Sequence, residues 1–183
     1  MNTPRGFTMI ELLVVIVVVG ILSSLALPAF REMMANVNTR STAESFSLGL
    51  QLARSEAVKR NSRASFSFSG TGRWEVCASV STTTPYTCPT ADSVQIKDAK
   101  EASQDVVIAA TPTDATMSTF TSLGRLSTDA ASALNNPDGT AQLTSVDFSS
   151  PATAKTYRVT ISSAGSVKLC DPSLPAGNAK ACT

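Results

Sequence analysis

Hydrophobic positions are spread unevenly along this 183-residue chain. From Phe7 to Phe30 the run is almost wholly apolar, and Glu11 is its only charge. As a helix those residues span roughly 36 Å, enough to cross the hydrocarbon core of a bilayer. Between Ala29 and Asn61 the pattern changes. This stretch has no proline, a single glycine and many Ala, Leu, Met, Glu and Arg residues, so the helix is predicted to continue. Phe30, Met34 and Val37 form one helical stripe, and Phe46, Leu50, Ala53 and Ala57 form another. The second stripe predicts a face packed under a globular head, and Asn61-Ser62 ends the pattern. From Phe7 to Asn61 such a helix reaches roughly 80 Å.

After Ser62 the period falls to two. Phe66 and Phe68 alternate with serines in Ala64–Ser69, Gly70-Thr71-Gly72-Arg73 reads as a turn, and Trp74, Val76, Ala78 and Val80 alternate with polar partners. That pattern predicts a β-hairpin with Trp74 as a core anchor. Further strands are predicted at Val94–Ile96, Val106–Ala110, Thr119–Thr121, Val146–Phe148, Tyr157–Ile161 and Val167–Leu169. Ser81–Pro89 and Asp129–Gly139 read as loops, and Ser163-Ala164-Gly165 as the turn between the last two strands. The predicted class is α+β, a long N-terminal helix packed on a β-rich antiparallel head.

Composition narrows the chemistry. Fifteen Lys+Arg balance fourteen Asp+Glu, so no overall field draws the chain to nucleic acid or acidic lipid. Histidine is absent, which removes His-based triads and most mixed zinc sites. There is no phosphate loop, HExxH, GxSxG or calcium loop, so neither an enzyme nor a metal or cofactor is expected. Cys77, Cys88, Cys170 and Cys182 form no CxxC pair. They are expected to make two disulfides in an oxidising compartment, with Cys77–Cys88 and Cys170–Cys182 favoured among three possible pairings.

Glu11 remains to be explained. An ordinary secretory signal cut after Ser24-Leu25-Ala26 tolerates an early carboxylate poorly, and in a plain anchor the residue would be an interfacial accident. If the chain is instead cut between Gly6 and Phe7, a free amine appears on Phe7, with Glu11 four residues along the same helix face. A carboxylate within a membrane is costly unless paired. The amine of a neighbouring copy supplies the counter-ion only at one axial offset, so Glu11 becomes a register device for stacking.

Gly6-Phe7-Thr8-Met9-Ile10-Glu11-Leu12 resembles the leader junction of type IV pilins and type II secretion pseudopilins. The resemblance implies a prepilin peptidase that cuts after Gly6 and methylates Phe7, with residues 1–6 as leader, 7–30 as transmembrane and assembly helix, 31–61 as amphipathic helix and 62–183 as head. Gly20 and Pro28 match positions where helices of that family are weakened. Leu52-Ala53-Arg54-Ser55-Glu56-Ala57 and Lys59-Arg60-Asn61 resemble the GspH/FimT-like subgroup, including FimU-like minor pilins. Read without the family, Arg54, Glu56, Lys59 and Arg60 form a solvated face with i,i+3 and i,i+4 pairs.

The subgroup implies a minor type IV pilin in the inner membrane with its head in the periplasm, and later at the cell surface in the pilus. There it primes assembly or sits near the tip, supporting adhesion and twitching motility. Its partners would be other minor pilins, the major pilin and a tip adhesin. The alternative is a minor pseudopilin of a type II secretion system. A DNA-capturing pilin for natural transformation is a further one. Some FimT-like members bind DNA through a Gly-Arg-x-Arg turn, for which this chain has Gly165-Ser166-Val167-Lys168. Only Lys168 is a cation there, and phosphate affinity scales with the cations engaged, so nucleic acid is not an expected partner.

Overall fold

The computed structural model describes residues 7–70, 72–79, 87–98, 105–127 and 136–182. The leader with Gly6, Thr71 of the predicted turn, Val80, and most of the two predicted loops (81–86 and 129–135) lie outside the described residues. One helix, α1, runs Met9–Lys59. Eight strands follow: β1 Ala64–Phe68, β2 Trp74–Cys77, β3 Ser93–Lys97, β4 Val107–Thr111, β5 Met117–Phe120, β6 Ser145–Ser150, β7 Thr153–Ile161 and β8 Val167–Cys170. The chain forms two compact units, Met1–Met34 and Ala35–Thr183.

In the first unit every described residue is exposed, and α1 continues through Gly20 and Pro28 without interruption. In the second unit the strands form two antiparallel four-stranded sheets, ordered β3-β2-β1-β5 and β4-β6-β7-β8. The predicted hairpin is β1 and β2, with Phe66 opposite Val76 and Phe68 opposite Trp74.

The stripe Phe46, Leu50, Ala53 and Ala57 is fully buried against both sheets. Phe46 is the hub. Its ring lies edge-on to Phe66 at 4.7 Å, Phe68 at 5.0 Å and Phe148 at 5.2 Å, so one side chain joins α1 to β1 and β6. Edge-to-face pairs of this kind add about 0.5–1.5 kcal/mol each beyond area burial. Trp74 is buried on Phe66, and its indole N–H donates to Ser45 Oγ at 3.2 Å. The approach of α1 is set by Gly49, where a Cβ would lie 2.7 Å from the Phe66 ring. In contrast to the core stripe, Met34 and Val37 of the first predicted stripe are exposed.

The two disulfides are Cys77–Cys88 and Cys170–Cys182, each closing a short loop. In the chain-entropy picture a loop of this size contributes up to about 3 kcal/mol. The second bond, with a parallel bridge between Asp171 and Ala181, fastens the C-terminal segment beside β8.

The helix ends with Asn61 at φ 47°, Ser62 N–H on Ala57 O at 3.1 Å and Asn61 N–H on Val58 O at 3.2 Å, a left-handed cap that satisfies two terminal carbonyls. One sequence expectation is corrected here. Glu56 does not belong to a solvated face; it is buried, and it accepts from Lys59 Nζ at 3.1 Å and Arg60 Nε at 2.9 Å. The bases one turn later reach back over the carboxylate, so the charge is carried inward with its partners.

Hydrogen bonds from Arg60 and then Lys59 hold the Glu56 carboxyl below its ordinary range, against an opposing cost of burial. The charged form is therefore favoured in the folded state. Its contribution is complete above the ordinary glutamate range and is lost as pH falls through the lowered folded value. Replacing Glu56 by Gln is expected to cost about 1 kcal/mol at neutral pH. It should also flatten the acid-side loss of stability, as read by urea unfolding at several pH values.

Candidate assembly site

The start of α1 is the first candidate site singled out by sequence. Met9 is the first helical residue, so Thr8 is the N-cap and Glu11 the third residue inside. Glu11 N–H donates to Thr8 Oγ1 at 3.3 Å, while Thr8 N–H and Oγ1–H reach Glu11 Oε2 at 3.5 and 3.4 Å. These long contacts form a reciprocal Thr-x-x-Glu capping box, and the carboxylate also lies at the positive end of the helix dipole. Sequence reasoning gave Glu11 an intermolecular partner and missed Thr8, although Thr8-Met9-Ile10-Glu11 carries the signal plainly. Both roles fit the geometry, because Glu11 and Phe7 are exposed and the cap contacts are weak enough to yield.

Beyond this cap the helix is long and apolar enough to cross a membrane. Gly20 has open space around its Cα, so no contact among the described residues requires glycine there. Pro28 removes one backbone donor from the middle of α1.

The C-terminal turn is the second place singled out by sequence. Ser162 and Ser166 close it through Ser162 N–H to Ser166 O at 2.9 Å, with Gly165 N–H on Ser162 O at 2.8 Å. Gly165 has φ 78°, and a Cβ on it would fall 1.9 Å from the carbonyl oxygen of Gly124. That oxygen also accepts from Arg54 Nε at 3.0 Å. Helix α1, the turn after β5 and the β7–β8 turn are thereby stacked at one point. Gly165 is explained by this packing. Lys168 is half-buried and donates to the carbonyl of Ala181 at 3.1 Å. Arg158, on the adjoining cleft, grips Asp147 with two bonds of 2.6 and 2.7 Å. Both cations of this cleft are thus engaged within the chain. Neither metal-holding clusters nor free cysteines occur among the described residues.

Comparison with known proteins places this geometry. The family profile described as type II transport protein GspH matches residues 42–165. The chain belongs to the GspH family. A second profile, the prokaryotic N-terminal methylation motif, matches residues 1–27. Among curated relatives, the GspH-family chain is 38% identical over 66 residues to a fimbrial protein of Moraxella nonliquefaciens, covering 36% of this chain and 41% of that protein. It is 39% identical over 49 residues to the type IV major alpha-pilin of Moraxella bovis, covering 27% of this chain and 31% of that one. The chain therefore spans less than half the length of these relatives. The crystal structure of the type IV minor pilin FimU of Pseudomonas aeruginosa has the same fold, with a TM-score of 0.52 and 18% identity over 78% of this chain and 92% of that one.

Gly165→Ala is expected to cost about 2–4 kcal/mol, combining left-handed strain with a backbone collision. Gly177→Ala, at φ 98° but in open space, should cost only the strain. Thermal unfolding of the two variants side by side distinguishes packing from backbone conformation; equal losses would mean that the stacked turns contribute nothing.

Proposed function

We propose that this GspH-family chain is a minor type IV pilin, a structural subunit rather than an enzyme. It is held in the inner membrane by the first half of α1, with its head in the periplasm, until it is drawn into a fibre. The single observation that carries this reading is the N-terminal half of α1. It is exposed throughout residues 9–34 and almost wholly apolar as far as Phe30, with Glu11 its only charge up to that point, and a surface of that kind demands lipid first and neighbouring helices later. The methylation motif over residues 1–27 and the fimbrial relatives support it.

In this reading a prepilin peptidase cuts after Gly6 and methylates Phe7. Residues 7–30 form the assembly helix, residues 31–61 the head-bearing helix and residues 62–183 the head. The Phe7 amine of one protomer pairs with Glu11 of the next, while Gly20 and Pro28 let the helix loosen as it packs. Other minor pilins and the major pilin are its neighbours, and the head sits close to the fibre tip beneath an adhesin. A minor pseudopilin of a type II secretion system is the second reading, favoured by the profile that matches residues 42–165. The same docking chemistry serves both.

Gly6→Val should leave uncut precursor in the membrane, whereas Glu11→Ala should be cut normally yet enter sheared fibres at least about tenfold less than the parent chain. Mass spectrometry of the sheared material should find chains beginning at methylated Phe7. Recovery only with secretion components would favour the second reading, and Glu11→Ala fibres of normal content would remove Glu11 from docking.

A further inference from the structure

The two sheets have four outer edges, and three of them are guarded. The β5 edge is covered by Ser127 N–H on Thr119 O at 2.9 Å and Leu143 N–H on Met117 O at 3.2 Å. The buried Asn136 amide adds a bond to Met117 O at 3.1 Å. Beside β8, Asp171 N–H bonds Lys180 O at 2.8 Å, the Cys170–Cys182 link fastens the covering segment, and Lys168 places a charge within the strand. The β3 edge adjoins a register shift at Val76/Cys77 and ends in Lys97. Charges, bulges and covering segments are the usual means by which natural sheets refuse a further strand.

Strand β4 has none of them among the described residues. Its sequence, Val107-Ile108-Ala109-Ala110-Thr111, holds no charge and no proline, and its pairing with β6 runs without a shift from Val107↔Ser149 to Thr111↔Ser145. Val107, Ala109 and Thr111 are exposed. The strand is terminal in its sheet. Its flanks are acidic: Asp105 precedes it, Asp114 follows it, and both are exposed. Asp147, opposite Ala109, is already neutralised by Arg158.

We propose that β4 receives an extended segment of a different protein chain as a fifth strand of its sheet, with basic residues beside the segment's two ends. Main-chain hydrogen bonds supply the affinity, as in other strand-addition complexes, and the flanking acids select the partner. A second copy of this chain is disfavoured as the occupant. Paired antiparallel about Ala109, it would bring Asp105 near the Asp114 end of its mate; paired parallel, it would set each acid beside its own equivalent. Either arrangement places like charges within a Debye length. The inference does not depend on whether the assembly is a pilus or a secretion fibre.

The test uses the full chain in detergent micelles, with amide hydrogen exchange read residue by residue. The probe is the capped peptide Arg-Val-Thr-Val-Thr-Val-Arg, and its control has Glu at both ends. The amides of Ile108 and Ala110 point away from β6, and the Arg-ended peptide should slow their exchange at least about tenfold at saturation. The Glu-ended peptide should bind about fivefold or more weakly by comparison. Ala110→Pro, which removes a donor that points away from β6, should abolish the protection while exchange in β6 and β7 is unchanged. If that variant loses its fold, Ala109→Lys serves instead, since a charge on the edge should remove binding of the Arg-ended peptide.

Four results would overturn the proposal: slow exchange at Ile108 and Ala110 without peptide, meaning that the chain's own residues cover the edge; no protection by either peptide; equal binding of both peptides; or self-association of the parent chain that Ala109→Lys reverses, meaning that a second copy is the occupant.

Discussion

A long apolar helix face cannot be left in water, and this chain meets that constraint in two different ways along one helix. From Ala35 onward α1 buries Ala43, Phe46, Leu50, Ala53 and Ala57 against its own sheets. Over Met9–Met34 none of its residues is buried. Among the described residues nothing covers that face, and in the proposed reading lipid and then neighbouring helices do so. On that reading the stability of the head and the drive to assemble arise from the same element. Only the source of the covering surface differs.

The head is built around close approach. Gly49 lets α1 settle on the Phe66 ring, and Phe46 bridges β1 and β6 where the two sheets meet the helix. Gly165 lets the last turn rest on the carbonyl of Gly124, which Arg54 of α1 also grips. Two disulfides then fasten the loop after β2 and the C-terminal segment. Aromatics are few in this chain, so the cross-links and the stacked turns reinforce a modest core.

Much of this was legible in the residues, and the exceptions have physical causes. The stripe Phe46, Leu50, Ala53 and Ala57 reads at helical spacing because burial selects one face. Local disulfide pairing reads correctly because each bond closes a short loop. Glu56 misleads, since charge predicts exposure, yet Lys59 and Arg60 follow at the spacing that lets them cover it. Met117 and Ser118 escape a period-two reading because all four residues of β5 are buried, so nothing alternates. The division into two sheets follows from pairings such as β1 with β5, distant in sequence, which no local pattern carries. Asn136 lies in a segment that reads as plain loop; its role as a clasp on Met117 depends on a fold that brings the two together. At the functional end the motif is local and therefore readable, although the capping contact of Thr8 with Glu11 needed geometry to be noticed.

The proposed docking gives Glu11 two partners at two stages. In the isolated chain it caps its own helix through Thr8. In the proposed assembly it would exchange that weak contact for the full charge of a neighbouring amine, an exchange favoured where water is excluded. Carbodiimide coupling of fibres grown from an equal mixture of isotopically light and heavy protomers tests this directly. The account predicts cross-linked peptides joining the Phe7 amine of one isotope to the Glu11 carboxyl of the other. Links confined to single chains, or no coupling at Glu11 in intact fibres, would contradict it.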